Sequence, residues 1–300
     1  MVLENLLIDP FPVTHSHPKT IMAKPIRLGI STCPNDTFTF YGLINDLVDR
    51  RGLEFQIELL DIQQLNDGLF GNQFDVAKCS FHAALLLSDS KTVLPSGSAL
   101  GFGVGPLLLA SQADSQPQTK QQVTLCPGKH TTATMLFRLF YPETTTVQHV
   151  VFSDIMPALV KQTADFGVCI HEGRFTWQDQ GLALVEDLGT RWEQETDCPL
   201  PLGGLVAKDS LGDELIADVQ AVVHDSLQCA LADPKQALPT MRKYAQEFED
   251  EVLMKHVHLY VNDWTVALGT VGENALQQLN QQAKRCGLIA DDQSGLRIFA

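Results

Sequence analysis

A chain of 300 residues is long enough for about two domains, and its hydrophobic share of 44% supplies a core for each. The formal net charge of −15, from 21 basic and 36 acidic residues, argues against nucleic acid and anionic membrane as partners, because both attract basic surfaces. The longest apolar stretch, roughly residues 99–110, is too short and too rich in glycine to span a bilayer.

Residues 1–23 precede the first strand pattern and contain several prolines. They lack the basic start and the apolar run of an export signal, so we expect a disordered extension. The seven cysteines are scattered, and none forms a C-x-x-C pair. This spacing favours reduced thiols in a cytoplasmic protein over a zinc knuckle or a disulfide framework.

The chain then alternates between strand and helix patterns. Strands are expected at 25–30, 53–60 and 74–78, and helices at 38–48, 62–70 and 81–87. This order predicts a parallel sheet. In the first turn, either Asn35 or Asp36 suits the N-cap of the helix that follows.

A second strand and helix set follows. Strands are expected at 93–94, 102–110, 123–126, 150–152, 166–170 and 182–188, and helices at 131–140 and 155–163. The stretch 200–206 resembles a chain crossing back to the first lobe, and helices follow at 214–232, 239–244, 249–260 and 273–285. The order predicts an α/β fold with a cleft between two lobes. The larger lobe combines 24–109 and 202–300, and 110–201 forms a smaller inserted lobe.

Two turns in the first lobe are candidate ligand sites. Cys33–Thr37 joins a strand to a helix, so it presents free backbone N–H groups to an anion, although an ordinary capped loop is the plainer alternative. Lys78, Cys79 and Ser80 follow a predicted parallel strand, and ligands of such sheets bind beyond the carboxyl ends of the strands. An edge lysine in solvent is the alternative there.

Thr131 and Thr132 follow the Pro127–Gly128 turn in the second lobe. Thr131 suits an N-cap, and two hydroxyls at a helix start also suit a carboxylate ligand. Each charge-assisted hydrogen bond to that ligand would be worth about 1.5–3 kcal/mol.

His171 stands at the end of a predicted buried strand, with Glu172 beside it and Arg174 nearby. Such a position suits a catalytic base, although a satisfied structural histidine is the common alternative. A zinc motif H-E-x-x-H would need histidine at position 175, which is phenylalanine. Cys33 has no base that the sequence assigns to it, and His256 and His258 are spaced so that they do not share a helix face.

Six stretches in order resemble the 1,4-dihydroxy-6-naphthoate synthase family. They are Ser31-Thr-Cys-Pro-Asn-Asp-Thr-Phe38, Lys78-Cys-Ser-Phe-His82, Pro127-Gly-Lys-His-Thr-Thr-Ala133, His171-Glu-Gly-Arg-Phe-Thr176, Pro199-Leu-Pro-Leu-Gly-Gly204 and His256-Val-His-Leu-Tyr-Val-Asn262. The resemblance covers about residues 25–290. Two positions depart from the pattern: Thr32 stands where proline is expected, and Cys79 where an aliphatic residue is commoner.

The resemblance implies a fold like that of the type 2 periplasmic binding proteins, with a hinge crossed twice. It implies a lyase of menaquinone biosynthesis that converts cyclic dehypoxanthinyl futalosine to 1,4-dihydroxy-6-naphthoate and a small sugar-derived fragment, without metal or organic cofactor. It makes His171 the general base and places the carboxylate-bearing substrate against Lys78, Cys79, Ser80, Thr131 and Thr132. We add Asn35, Asp36 and Arg174 as further candidates.

Two other functions fit the same fold. One is a sister lyase, the chorismate dehydratase, although the H-E-x-R-F-T histidine and the threonine pair favour the naphthoate synthase. The other is a non-catalytic solute-binding protein. Either a monomer or a homodimer is compatible with the sequence.

Overall fold

The computed structural model describes residues 24–171, 173–245 and 249–300, and the predicted extension at 1–23 lies outside them. The strands of this part of the chain are β1 (Ile26–Ser31), β2 (Phe55–Leu60), β3 (Val76–Ser80), β4 (Lys91–Val93), β5 (Ala99–Gly101), β6 (Leu107–Ala110), β7 (Val123–Cys126), β8 (Thr146–His149), β9 (Phe166–Cys169), β10 (Ala183–Asp187), β11 (Leu200–Lys208) and β12 (Arg297–Ile298).

Its helices are α1 (Pro34–Thr39), α2 (Tyr41–Ile44), α3 (Ile62–Phe70), α4 (Phe81–Leu86), α5 (Thr132–Phe140), α6 (Phe152–Val160), α7 (Gly173–Thr176), α8 (Leu188–Thr196), α9 (Asp213–Ala232), α10 (Leu238–Tyr244), α11 (Asp250–Tyr260), α12 (Asp263–Val266) and α13 (Gly269–Arg285). Short 3-10 helices lie at Gln178–Gln180, Asp209–Leu211 and Pro234–Ala237. No helix in the described ranges is both long and apolar enough to cross a membrane.

The strands form two mixed sheets. The larger has the order β12-β4-β11-β3-β1-β2, with β5 also paired to β11, and the smaller has the order β10-β6-β9-β7-β8. Strand β1 is parallel to β2 and β3, and β7 is parallel to β8 and β9. The alternating pattern at the start of the chain therefore predicted the parallel part of the larger sheet correctly. Long β11 runs antiparallel to β3, β4 and β5 and closes the larger sheet after the smaller one is complete.

The predicted boundary between the lobes needs a correction. Strand β6 pairs with β9 and β10 in the smaller sheet, although the boundary at residue 110 assigned most of it to the larger lobe. The chain changes sheet between Gly101 and Leu107, where Gly103, Gly105 and Pro106 interrupt the single strand expected at 102–110. On its return the chain rejoins the larger sheet at Leu200, two residues before the predicted position 202.

One predicted strand is wrong. Residues 150–152 are apolar and were expected to form a strand, but Phe152 begins α6 with Val151 as its N-cap. The strand at that edge is β8, most of whose side chains are exposed. An exposed edge strand carries no continuous hydrophobic run, so β8 gave no clear strand pattern. The strand was therefore predicted at the apolar residues that follow it.

Local sequence explains where the helices facing the cleft begin. Asp61 forms a capping box with Gln64 at the start of α3. Pro34 occupies the first position of α1, which makes Cys33 the N-cap. Asn35 and Asp36, the predicted caps, lie two and three residues after this N-cap, inside the first turn.

Candidate active site

A cleft between the two sheets contains about 680 Å³ of empty space, part of it open to solvent. The larger lobe contributes side chains from the start of α1 and from β3, and the smaller lobe contributes the start of α5 and the end of β9. Its lining includes seven of the nine predicted site residues: Asn35, Asp36, Lys78, Ser80, Thr131, Thr132 and His171. Cys33, His256 and Tyr260 also line it.

Lys78 and Asp36 form a buried ion pair in the wall of the cleft. Lys78 Nζ lies 2.6 Å from Asp36 Oδ1, and only 5% and 4% of the two side chains is exposed. The ammonium also donates to the carbonyl of Gly97 at 2.8 Å. Burial raises the pKa of the Asp36 carboxyl, and the charge of Lys78 opposes that rise. The lysine is therefore already neutralised by a protein carboxylate.

Cys79 is not among the residues that line the cleft, so its side chain is not placed for the predicted substrate contact. Strand β3 continues to Ser80 rather than ending at Lys78, and successive side chains of a strand point to opposite faces. Lys78 and Ser80 therefore face the cleft while Cys79 packs into the apolar core. Burial there raises the pKa of its thiol to about 12, which keeps it in the unreactive thiol form.

The start of α5 is held tightly against the larger lobe. Thr131 is its N-cap, as predicted, and its hydroxyl accepts from the Thr134 N–H at 3.2 Å. The Thr132 hydroxyl donates to the Leu202 carbonyl at 2.6 Å and accepts from the His82 N–H at 3.3 Å. Both hydroxyls are thus engaged within the protein. The first N–H groups of α5 have no partner within the helix. Ala133, in this first turn, is among the residues that line the cleft.

His171 has an unusual backbone conformation, with φ of 56°. This left-handed conformation is uncommon for residues other than glycine and concentrates at functional sites. The imidazole packs edge-on against the Phe152 ring at 4.8 Å, and Cys33 Sγ lies 3.5 Å from each of its nitrogens. Glu172, expected to orient the ring, lies outside the described residues.

Arg174, named above as a further candidate, is not among the residues that line the cleft. Its guanidinium donates to Asp187 Oδ2 at 2.6 Å and to the Gly105 carbonyl at 2.5 Å. Asp187 in turn accepts from the Gly189 N–H at the start of α8. Arg174 therefore ties the turn that carries His171 to the crossing between the sheets.

His256 is a site residue that the sequence analysis set aside. It lies on α11, one turn before Tyr260, and its Nε2 is 3.1 Å from Asn35 Oδ1. Its ring stacks on that of His171 with centroids 6.1 Å apart and planes inclined at 25°. The sixth stretch of the family resemblance was the signal in the sequence that could have identified His256 as a site residue. The helical spacing between His256 and His258 gave no information about contacts with α1.

Buried histidines are expected to make folding depend on pH. Burial lowers the pKa of His256 to about 3 and that of His82 to about 4, whereas unfolded histidines titrate near pH 6.5. Below about pH 6.5 the unfolded chain binds more protons, so the stabilisation present above that pH is lost as the pH falls. Each histidine should account for about 2 kcal/mol of loss by about pH 5.

Urea denaturation of the wild-type protein and of His256→Gln, at about pH 7 and about pH 5, checks this expectation. The variant should lose about 2 kcal/mol less than the wild type over that interval. Equal losses in the two proteins would show that the pKa of His256 is not lowered in the folded state.

Comparison with known proteins agrees with the fold and with the resemblance. The family model described as menaquinone biosynthesis matches residues 26–285. A 1,4-dihydroxy-6-naphthoate synthase of Thermus thermophilus is 40% identical over 265 residues, which cover 88% of this chain and 96% of the relative. The same-named protein of Streptomyces coelicolor is 35% identical over 272 residues, 89% of this chain and 95% of the relative.

Solved structures agree with these relatives. A crystal structure of a protein from Archaeoglobus fulgidus has a TM-score of 0.82 at 30% identity and covers 88% of this chain and 98% of its own. A Candida albicans protein, described as having the generic periplasmic binding protein structural fold, has a TM-score of 0.62 at 11% identity, with 90% and 92% covered. The second likeness shows the fold alone, and it is the fold that was predicted. The chain belongs to the menaquinone biosynthesis family, in which its named relatives are 1,4-dihydroxy-6-naphthoate synthases.

Proposed function

We propose that this protein is a cytoplasmic lyase that converts cyclic dehypoxanthinyl futalosine to 1,4-dihydroxy-6-naphthoate and a small sugar-derived fragment. The observation that carries the proposal is the position of His171. Its imidazole lines the same cleft as the start of α5. The seven cysteines all lie in the described ranges and form no disulfide there, which suits a reducing compartment.

His171 is proposed as the general base. Imidazole titrates near pH 6.5, so its neutral form is abundant at physiological pH and is able to take a proton from carbon. The left-handed backbone at His171 and the packing of Phe152 hold the ring at the cleft wall. Removal of a proton opens the substrate ring, and aromatisation of the product supplies the driving force.

The start of α5 is proposed to bind the substrate carboxylate. The N–H groups of Thr132 and Ala133, which have no partner within the helix, and the positive end of the helix dipole attract an anion. Ser80 lies on the facing strand, where its hydroxyl is able to donate a further hydrogen bond. Lys78 is less suited to this role than the sequence suggested, because Asp36 already neutralises it.

Incubation of the purified protein with cyclic dehypoxanthinyl futalosine, followed by mass spectrometry, tests the proposal. Release of 1,4-dihydroxy-6-naphthoate would support it. Parallel incubation with chorismate tests the sister activity, and dehydration of chorismate without naphthoate formation would replace the proposal. Tight binding of the futalosine derivative without turnover would instead indicate a solute-binding protein.

Removal of both hydroxyls, Thr131→Ala with Thr132→Ala, is expected to raise KM by about ten-fold or more and to lower kcat less. The hydroxyls hold the N–H groups of α5 in place, and a carboxylate remote from the reacting bond is bound equally in the ground and transition states. The double serine variant keeps both hydroxyls and serves as the control. An unchanged KM in the double alanine variant would count against this anchor.

A further inference from the structure

We infer that the Asn35 side-chain amide donates a hydrogen bond to the reacting part of the substrate, and that His256 is the positioning residue that turns this amide toward the cleft. The inference rests on the proposed function for the identity of the substrate. The Asn35 amide would then be a second group beside the general base His171, and it would act on the negative charge that loss of the proton creates on the substrate.

Asn35 has a donor left over. Its side chain is buried to all but 8% and lines the cleft, and its Oδ1 bonds with His256 Nε2 at 3.1 Å. Within the described residues, the recorded hydrogen bonds of Asn35 use its Oδ1 and its backbone carbonyl, and none uses Nδ2. An NH₂ group in the lining of a cleft that makes no hydrogen bond within the described protein is available to donate to a bound substrate.

His256 decides which end of that amide faces the cleft. The imidazole is 4% exposed, and burial lowers its pKa to about 3, so the ring is neutral at physiological pH. A neutral imidazole nitrogen bonds to a carbonyl oxygen only when it carries the hydrogen. With the hydrogen on Nε2, His256 holds Asn35 Oδ1, and the NH₂ group is left for the substrate. The opposite tautomer would bind the NH₂ group and present an oxygen to the cleft.

The environment of His256 explains why it keeps this geometry. The Tyr260 ring, one helical turn later, lies 4.5 Å from the imidazole, and the His171 ring stacks on it. On the Asn35 side, the Thr39 hydroxyl donates to the Asn35 backbone carbonyl at 2.8 Å. Packing on both sides of the His256 ring therefore restricts its rotation, and the Thr39 bond fixes the backbone that carries the Asn35 amide.

The chemistry needs a donor at this point. When His171 takes the proton, the substrate C–H bond breaks, the proton goes to the imidazole nitrogen, and the electron pair passes to an oxygen of the substrate. Negative charge grows on that oxygen, and a preorganised N–H donor stabilises it more than it stabilises the uncharged ground state. The Asn35 NH₂ group supplies this donor without changing its own protonation state.

Histidine nitrogen NMR of the full chain tests the positioning half without any substrate. In ¹⁵N-histidine-labelled protein, the signals lost in His256→Gln identify this residue. They should show the hydrogen on Nε2 and no titration between about pH 5 and pH 8. A hydrogen on Nδ1, or titration within that range, would overturn the role given to His256.

Steady-state kinetics tests the donor half. Asn35→Ala should lower kcat by about 10²–10³-fold with a much smaller change in KM, as expected for a donor that acts in the transition state. His256→Phe should lower kcat by at least about ten-fold, and His256→Gln, whose amide N–H is able to hold Asn35 Oδ1, should recover most of it. His258→Phe, on the exposed side of the same helix, is the control.

Two results would refute the donor role. One is a kcat for Asn35→Ala within about three-fold of wild type, well below the loss that removal of such a donor causes. The other is an equal loss in His256→Gln and His256→Phe, which points to packing alone. If the wild-type protein forms no naphthoate, the proposed function fails and the donor role fails with it, whereas the nitrogen spectra still decide the orientation of the Asn35 amide.

Discussion

Replacement of His171 by alanine is expected to lower kcat for naphthoate formation by about 10²–10⁴-fold while substrate still binds. The expectation follows from the position of the imidazole, which lines the cleft but is not part of the proposed carboxylate anchor at the start of α5. A group that acts only on the transferred proton contributes to the transition state and little to the ground state.

Single-turnover measurement with calorimetric titration of the same variant separates the two effects. His258→Ala is the matched control, since this exposed histidine lies outside the cleft. Retention of the wild-type rate in His171→Ala would exclude His171 as the base. Loss of binding together with rate would instead assign it to substrate recognition.

Lys78→Met is expected to reduce the free energy of unfolding by about 3–5 kcal/mol. The change removes the only ammonium seen at Asp36 in the described structure and leaves a carboxylate in a site that is 4% exposed. Attraction between buried charges offsets the cost of removing them from water, so loss of one partner leaves that cost uncompensated. Urea denaturation at neutral pH measures the difference.

Two comparisons keep this test specific. Arg242→Met breaks an ion pair with Asp250 whose side chains are 43% and 48% exposed, and it should destabilise the protein far less, because solvent screens exposed charges. Addition of Asp36→Asn to Lys78→Met should recover a large part of the loss, because no buried charge then remains unpaired. Equal losses for Lys78→Met and Arg242→Met would contradict the importance given to burial.

The alternation of strands and helices could be predicted because each element depends on a local sequence pattern. Helix α3 and strand β7 have the predicted limits, since each apolar pattern is bounded by turn or capping residues. The pairing of β6 could not be predicted in the same way. Its four buried residues fit either sheet, and only tertiary contacts with β9 and β10 assign it to the smaller one.

The candidate site was predicted in part for the same reason. Motifs at the ends of strands brought His171, Ser80 and Thr131 to attention, and all three line the cleft. Cys79 was misjudged because an error of two residues in the end of β3 concealed the alternation of its side chains. His256 meets Asn35 across 221 residues of sequence, through packing of α11 on α1 that no local pattern encodes.

A crystal structure with cyclic dehypoxanthinyl futalosine bound to the slow His171→Gln variant is the most direct test of the account. We expect the substrate carboxylate at the start of α5, and the carbon that loses its proton facing the side chain at position 171, within about 3–3.5 Å. A substrate bound outside this cleft, or bound with that carbon turned away from position 171, would contradict the account.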